Sequence, residues 1–381
     1  MVSMRRGCLG AVMVFATCAA LVVGGGGAGA ATAAGSSSGG GWATGIEVPG
    51  IGALNVGGDT GVGQLSCSSP GNCTVGGFYT DRSGHQQAVV ASEANGRWGR
   101  AEEVPGTAAL NRRGHAQVVS VACAARGACA AAGSYLDSSG HLQLFVASEH
   151  DGVWAPATVI SVPAALGTDT SAIDSLSCPS AGNCAAGGSY ELVNVMNGIV
   201  SEEAMVVNES GGVWGQVQEV PGTAALNAPH GGLAVVLAVS CGAAGSCVAG
   251  GGYDASRSTA PAFLAEQADG RWDDAIDVPG LTSLNTDGSA LVESVSCASA
   301  GNCAATGFYL TPKLITQLFV ISEADGVWGN AIEVPGLAGL DAGRDAGRNI
   351  SVSCPAAGHC ALGSEYTDHK GHTQLLVDSQ S

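Results

Sequence analysis

The stretch LVESVSCASAGNCAATGFYLTPKLITQLFVISEADGVWGNAIEVPG, residues 291–336, decides the fold. LVESVSC (291–297) alternates small polar with apolar residues, and CAATGFY (303–309) is β-prone at its aromatic end. TQLFVISE (316–323) is dense in branched and aromatic side chains, and WGNAIEV (328–334) puts Trp328, Ile332 and Val334 on one face. Such alternation marks strands, because successive side chains of an extended chain point to opposite faces. The stretch predicts four short strands, a to d, with turns at SASAGN, around Thr311-Pro312 and at ADG. No stretch of the chain has a convincing helical period.

The same unit recurs along the chain. The six Trp stand at 42, 98, 154, 214, 272 and 328, spaced 56, 56, 60, 58 and 56 residues apart. Each is followed by a Val-Pro, at Pro49, Pro105, Pro163, Pro221, Pro279 and Pro335. A four-stranded unit at this period predicts a propeller blade or a small solenoid sheet. The ends favour the propeller. WATGIEV (42–48) is a d strand with no a, b or c before it. The last unit supplies a (349–354), b (360–366) and c (373–378) and no d. The expectation is all-β: a six-bladed β-propeller over 42–381, four antiparallel strands per blade. The N-terminal strand would complete the last blade, leaving no open edge.

A paired Gly ending strand b, an apolar strand c, an Asx-Gly turn and a Trp opening strand d resemble the kelch blade. Gly76-Gly77…Trp98 and Gly187-Gly188…Trp214 carry that resemblance, while three units keep one Gly (Gly133, Gly307, Gly363). The SEADGVW-type turn is similar to the Asp-box of sialidase-like propellers, with a different spacing. As a whole, the repeat resembles uncharacterised secreted actinobacterial proteins with SVSC…GNC…GxY…VPG units. That resemblance implies a fold and no established activity.

Twelve of the 14 Cys form Cys-x5-Cys pairs: Cys67/Cys73, Cys123/Cys129, Cys178/Cys184, Cys241/Cys247, Cys297/Cys303 and Cys354/Cys360. Each brackets an a–b turn, so the two thiols face each other across a hairpin at a distance suited to a disulfide. Zinc would need four ligands, and each unit offers two Cys with no recurrent His. Structural disulfides are expected, with no metal and no cofactor.

Cys8 and Cys18 fall in a targeting segment. Arg5 and Arg6 precede an apolar run, Gly7–Val23, and Ala28-Gly29-Ala30 offers a small-x-small cleavage site. This layout predicts a secretory signal peptide over 1–30, with an uncleaved anchor as the rival, and a flexible tether over 31–41. No later run is long enough to span a bilayer. The formal net charge of −18, with 14 Lys and Arg in 381 residues, excludes a basic nucleic-acid footprint.

Strand order puts b–c and d–a loops on one face and the disulfide turns on the other. Six of the eight His fall on the loop face. YTDRSGH (79–85), YLDSSGH (135–141) and YTDHKGH (366–372) repeat Asp81/His85, Asp137/His141 and Asp368/His372 at i, i+4. Such a pair orients an imidazole or caps an ordinary turn, and the turn is the favoured reading. Arg112, Arg113 and His115 form a basic cluster that either receives a carboxylate or sulfate or is a solvated loop, and the solvated loop is the favoured reading. Glu191 and Glu202-Glu203, Lys313 and Arg344-Asp345…Arg348 also break the repeat. A carboxylate pair at the channel mouth would suit glycoside cleavage. The expectation is an extracellular monomeric binding module for a glycan, peptide or protein. A glycan-active enzyme and a structural envelope protein are the alternatives.

Overall fold

The computed structural model describes residues 44–380 except 163–170, 195–198, 228–231, 257–258, 286–287, 342–345 and 348. The signal peptide, the tether, Trp42, His230, Arg344, Asp345 and Arg348 therefore lie outside the described residues. Contacts divide the chain into Met1–Glu47 and Val48–Ser381. Residues 44–47 of the first unit take no strand conformation.

Among the described residues, six antiparallel sheets follow one another in the second unit. Strand a runs Thr60–Ser69, Ala116–Ala125, Ser171–Ser180, Ala234–Ala243, Ala290–Ser299 and Ser351–Ala356. Strand b runs Asn72–Thr80, Ala128–Leu136, Asn183–Asn194, Ser246–Tyr253, Asn302–Leu310 and His359–Thr367. Strand c runs Gln86–Ala94, Leu142–His150, Ile199–Ser210, Ala262–Ala268, Thr316–Ala324 and Thr373–Ser379. Strand d is interrupted: in the fifth sheet Val327–Trp328 and Ile332–Glu333 both pair with c. The sixth sheet has a, b and c alone among the described residues.

Each of the first five a strands carries a bulge, as between Ile173 and Ser175, and packs beside the a strand of the next sheet. Sheets bury their faces on one another. Ala88 and Val90 of the first sheet pack with Val118, Val121 and Phe145 of the second. The two ends of the row are bare. Val62 and Leu65 are 74% and 53% exposed, where their counterparts Val118 and Val121 are 1% exposed. Leu375 and Val377 of the last c strand are 87% and 81% exposed, where Leu144 and Val146 are 1% and 0%.

Six disulfides staple the a–b hairpins: Cys67–Cys73, Cys123–Cys129, Cys178–Cys184, Cys241–Cys247, Cys297–Cys303 and Cys354–Cys360. Their Cα atoms lie 3.9–4.1 Å apart. The repeat predicts six equivalent staples, and the two at the ends differ from the rest. Cys73 and Cys360 are half-buried, whereas Cys129, Cys184, Cys247 and Cys303 are buried. The counterpart Cys129 has Thr74 of the preceding sheet 3.2 Å from its sulfur, and no sheet precedes Cys73 among the described residues. Cys360 borders an a–b turn without the c–d hairpin that meets it elsewhere. In a complete sheet those two turns touch: the Gly326 N–H donates to the Gly301 carbonyl at 2.9 Å. Register does not separate the ends from the rest: Cys67 pairs directly with Cys73, and the shift across Cys354 and Cys360 also occurs across Cys178 and Cys184 of the third sheet.

The expectation of no helix needs correction. One-turn helices occur at Ile51–Leu54, Thr107–Leu110, Thr223–Leu226, Leu281–Leu284 and Leu337–Asp341. They follow the Val-Pro-Gly that ends strand d. Such a segment is too short to show a 3.6-residue period, and packing supplies its stability. Leu281 and Leu337 are buried.

Candidate functional site

The three Asp-x3-His loops are Asx turns. Asp81 Oδ1 accepts the N–H of Ser83 at 2.7 Å and of His85 at 3.0 Å. Asp137 Oδ1 accepts Ser139 and His141 at 2.8 and 3.0 Å. Asp368 Oδ1 accepts Lys370 and His372 at 2.8 and 2.9 Å. The His372 N–H leads the donors that hold the Asp368 carboxyl below the usual carboxylate range. Gly84, Gly140 and Gly371 follow with φ of 80°, 89° and 84°, which Gly adopts freely. The imidazoles stand outside: His372 Nδ1 is 3.7 Å from Asp368 Oδ2, and His141 Nδ1 is 4.0 Å from Asp137 Oδ2. Each Asp thus commits Oδ1 to its own turn, while Oδ2 of Asp81 and Asp368 accepts Gln87 and Gln374 of the following strand c, at 2.9 and 3.3 Å.

Part of the expected site comes together. Arg112 and Arg113 donate backbone N–H groups to the Leu136 carbonyl, at 3.0 and 3.4 Å. Arg113 Nε donates to the Ser138 carbonyl at 3.2 Å, inside the Asp137–His141 turn. A Cβ on Gly114 would stand 2.4 Å from His85 Cδ2, so the His85 ring lies against Gly114. Burial lowers the pKa of the adjoining His115. The first two sheets therefore join His85, His115, Arg112, Arg113 and the Asp137 turn in one patch. Asp368 and His372 lie on the sixth sheet. Lys313 is an exposed loop residue of the fifth.

A second group lies on the third sheet. Glu191 stands opposite Glu202 on neighbouring strands. Glu202 Oε1 accepts the Ser189 hydroxyl. Burial, with Glu191 adding to it, raises the Glu202 carboxyl. Glu203 is raised by burial and accepts Asn227 Nδ2 at 3.0 Å. Asp174, in the strand-a bulge, was missed by the sequence reading. Its side chain is exposed, yet the protein crowding it and the Glu202 charge push its carboxyl up to about 7. Its signal was weak: Asp174 stands where other units carry Gly63, Val119 or Leu237, but the fifth unit has an acid there too, Glu293. Asp174 is the member of the group pushed up to about 7, a value that suits proton donation. Among the described residues no three His, Cys, Asp or Glu are grouped to hold a metal ion.

No protein-family model and no curated protein sequence matches the chain. Solved structures that it resembles include a PL25 ulvan lyase, at 9% identity and TM-score 0.47, covering 83% of this chain and 80% of that one. The β-propeller domain of the trilobed protease from Pyrococcus furiosus is similar at 8% identity and TM-score 0.45, over 84% of each chain. The Hadza microbial sialidase Hz136 is similar at 10% identity and TM-score 0.42, over 83% of this chain. The chain spans 64% of that sialidase's length. At these scores none of them informs activity.

Proposed function

We propose that the chain is an extracellular six-bladed β-propeller, secreted or envelope-associated, acting as a monomeric binding module through its b–c/d–a face. The observation that carries the binding reading is the use of Asp81, Asp137 and Asp368 as turn caps. These carboxylates brace the loops, and the exposed His85 and His372, with Arg112 and Arg113, remain for a ligand. Loops braced on a rigid scaffold are the usual place for recognition. The ligand is a glycan, peptide or protein carrying carboxylate or sulfate groups. Disulfides in every sheet suit an oxidising compartment.

The test is a glycan and peptide array with the mature protein, then with Arg112→Ala, Arg113→Ala and His115→Ala combined. Binding without turnover, lost in the triple variant, supports the reading. Binding that survives the triple variant removes this face from it. The Asp174–Glu202 group favours a second reading, a glycan-active enzyme. Release of reducing or unsaturated sugar that Glu202→Gln abolishes would put the enzyme first.

Closure of the ring belongs to the same reading. In four sheets the strand-b Tyr donates its hydroxyl to an acid of strand d. The pairs are Tyr79–Glu103 at 2.7 Å, Tyr190–Glu219 at 3.3 Å, Tyr253–Asp277 at 2.6 Å and Tyr309–Glu333 at 3.1 Å. The counterpart Tyr in the sixth sheet is Tyr366, and the counterpart acid is Glu47 of IEVPG. Asn111 Nδ2 bonds Gln87 Oε1 at 3.0 Å, and the matching residues are Asn55 and Gln374. Residues 42–48 thus bring the partners that the sixth sheet lacks. Their addition would let Val62 and Leu65 pack on Leu375 and Val377. It would also set the three Asp-x3-His loops side by side, on sheets six, one and two.

A further inference from the structure

One row of polar contacts joins consecutive sheets, and at one place both of its members are carboxyls. A residue near the end of strand c acts as a hub for the next sheet. Ser148 Oγ accepts the Trp214 indole N–H at 3.2 Å and donates to Glu209 Oε1 at 2.9 Å. Ser92 bonds Glu149 one sheet earlier, but there the Trp154 indole N–H and Glu149 Oε2 have no hydrogen-bond partner. At the third-to-fourth interface the hub is Asn208, which accepts Trp272 Nε1 at 3.2 Å, and the residue matching the acid is Gln267. In these cases at least one partner brings a hydrogen to the contact.

Between the fourth and fifth sheets both positions are carboxyls. Glu266 Oε1 accepts the Trp328 indole N–H at 2.5 Å, as a hub should. Glu323 holds the acid position, is 6% exposed, and has an Oε2 with no hydrogen-bond partner. A serine hub supplies a hydroxyl hydrogen, and an ionised glutamate hub supplies none. A buried Glu323 beside the half-buried Glu266 cannot be charged cheaply while Glu266 is charged too.

We propose that Glu266 and Glu323 share one proton, and that this proton locks the fourth sheet to the fifth. The interface is then a pH-sensitive joint, tightened by acid and loosened by alkali. Glu266 is the charge that acts on Glu323 from the neighbouring sheet. From its own sheet the residue opposite is the uncharged Trp328. Arg271 and Asp273, the other charged residues flanking Trp272 in the adjoining hairpin, are exposed. Burial first, and the Glu266 charge second, push the Glu323 carboxyl up to about 7 from an ordinary 4.5. A carboxyl raised on folding stabilises fully below its unfolded value and loses that contribution as pH rises through its folded one. The window therefore runs from about 4.5 to about 7.

Glu149 and Glu209 are also raised by burial, so the wild-type pH profile alone does not isolate the pair. Two variants do. Glu323→Gln gives Glu266 a permanent N–H donor, and Glu266→Ser rebuilds the serine hub of the earlier interfaces. Denaturant midpoints of the oxidised protein are compared at pH 5 and pH 8. The wild type should lose at least about tenfold more of its folding equilibrium constant across this range than either variant. Hydrogen exchange should place the wild-type loss at strands c and d of the fourth and fifth sheets. An identical pH dependence in the wild type and both variants would overturn the proposal. Should one variant fail to fold, the other and the exchange map still decide.

Discussion

Gly307 shows which glycine of the strand-b doublet the fold requires. A Cβ there would stand 1.8 Å from the Leu291 carbonyl oxygen of the paired strand a. Gly77, Gly133, Gly188 and Gly251 meet the matching carbonyl at 1.8–2.0 Å. The first glycine of the doublet meets side chains of the next sheet, as Gly187 meets Val236 Cγ1 at 2.4 Å, and Thr306 or Ala132 replaces it elsewhere. This explains why units two and five keep one Gly, and why it is the second. Gly307→Ala should cost about 3 kcal/mol or more, since backbone cannot yield as a side chain does. Gly339→Ala, with nothing within 4 Å, should stay within about 0.5 kcal/mol. Denaturation midpoints of the two variants check the contrast. At this scale the sequence was partly legible. Asp81, Asp137 and Asp368 read correctly as turn formers. Asp174 and the Glu266–Glu323 pair did not, because their meaning depends on what a neighbouring sheet places opposite them. The same holds for Cys73 and Cys360, whose spacing matches the other pairs and whose exposure follows from missing neighbours.

Strands a, b and c were legible as elements because each is long enough to show alternation. The Cys-x5-Cys spacing then set the a–b register, and Cys297 does stand opposite Cys303. Strand d read less well. It divides into pieces of two or three residues, since a break such as Gly329-Asn330 interrupts the pairing between Trp328 and Ile332. The one-turn helices escaped altogether, for want of a period. Non-reducing peptide mapping should find the six intra-repeat bridges. In the chain-entropy model, closing a loop of this size is worth about 2 kcal/mol. Replacing Cys241 and Cys247 by Ser should lower stability by about that amount and expose the fourth hairpin to protease. Cross-repeat pairing, or free thiols at these positions, would contradict the staple reading.

At the scale of the molecule, the low charge of the chain has a structural reason. Each inner sheet buries both faces, so charged residues are confined to turns, edges and the few interface carboxyls. Where a face has no neighbour, the same residue types stand in water, as Val62, Leu65, Leu375 and Val377 do. Bare apolar faces at both ends of one row of repeats are complementary by construction, and an unpaired strand edge invites addition. The repeat count and the missing fourth strand were legible from Trp and Cys spacing alone. Which partners the missing strand needs emerged only from the Tyr–acid pairs. Glu47→Ala should therefore destabilise the protein by about 1 kcal/mol, the usual worth of one such hydrogen bond. Tyr366→Phe should cost the same, and the double variant should cost no more than either alone. The most direct measurement joins residue 46 to residue 377, the positions that match the paired Glu102 and Val90 of the first sheet. The variant carrying Ile46→Cys and Val377→Cys, mapped without reduction, should yield a monomer with an intramolecular 46–377 disulfide and the six native bridges intact. A dimer linked through those positions, or two unreacted thiols, would contradict a ring closed by its own first strand.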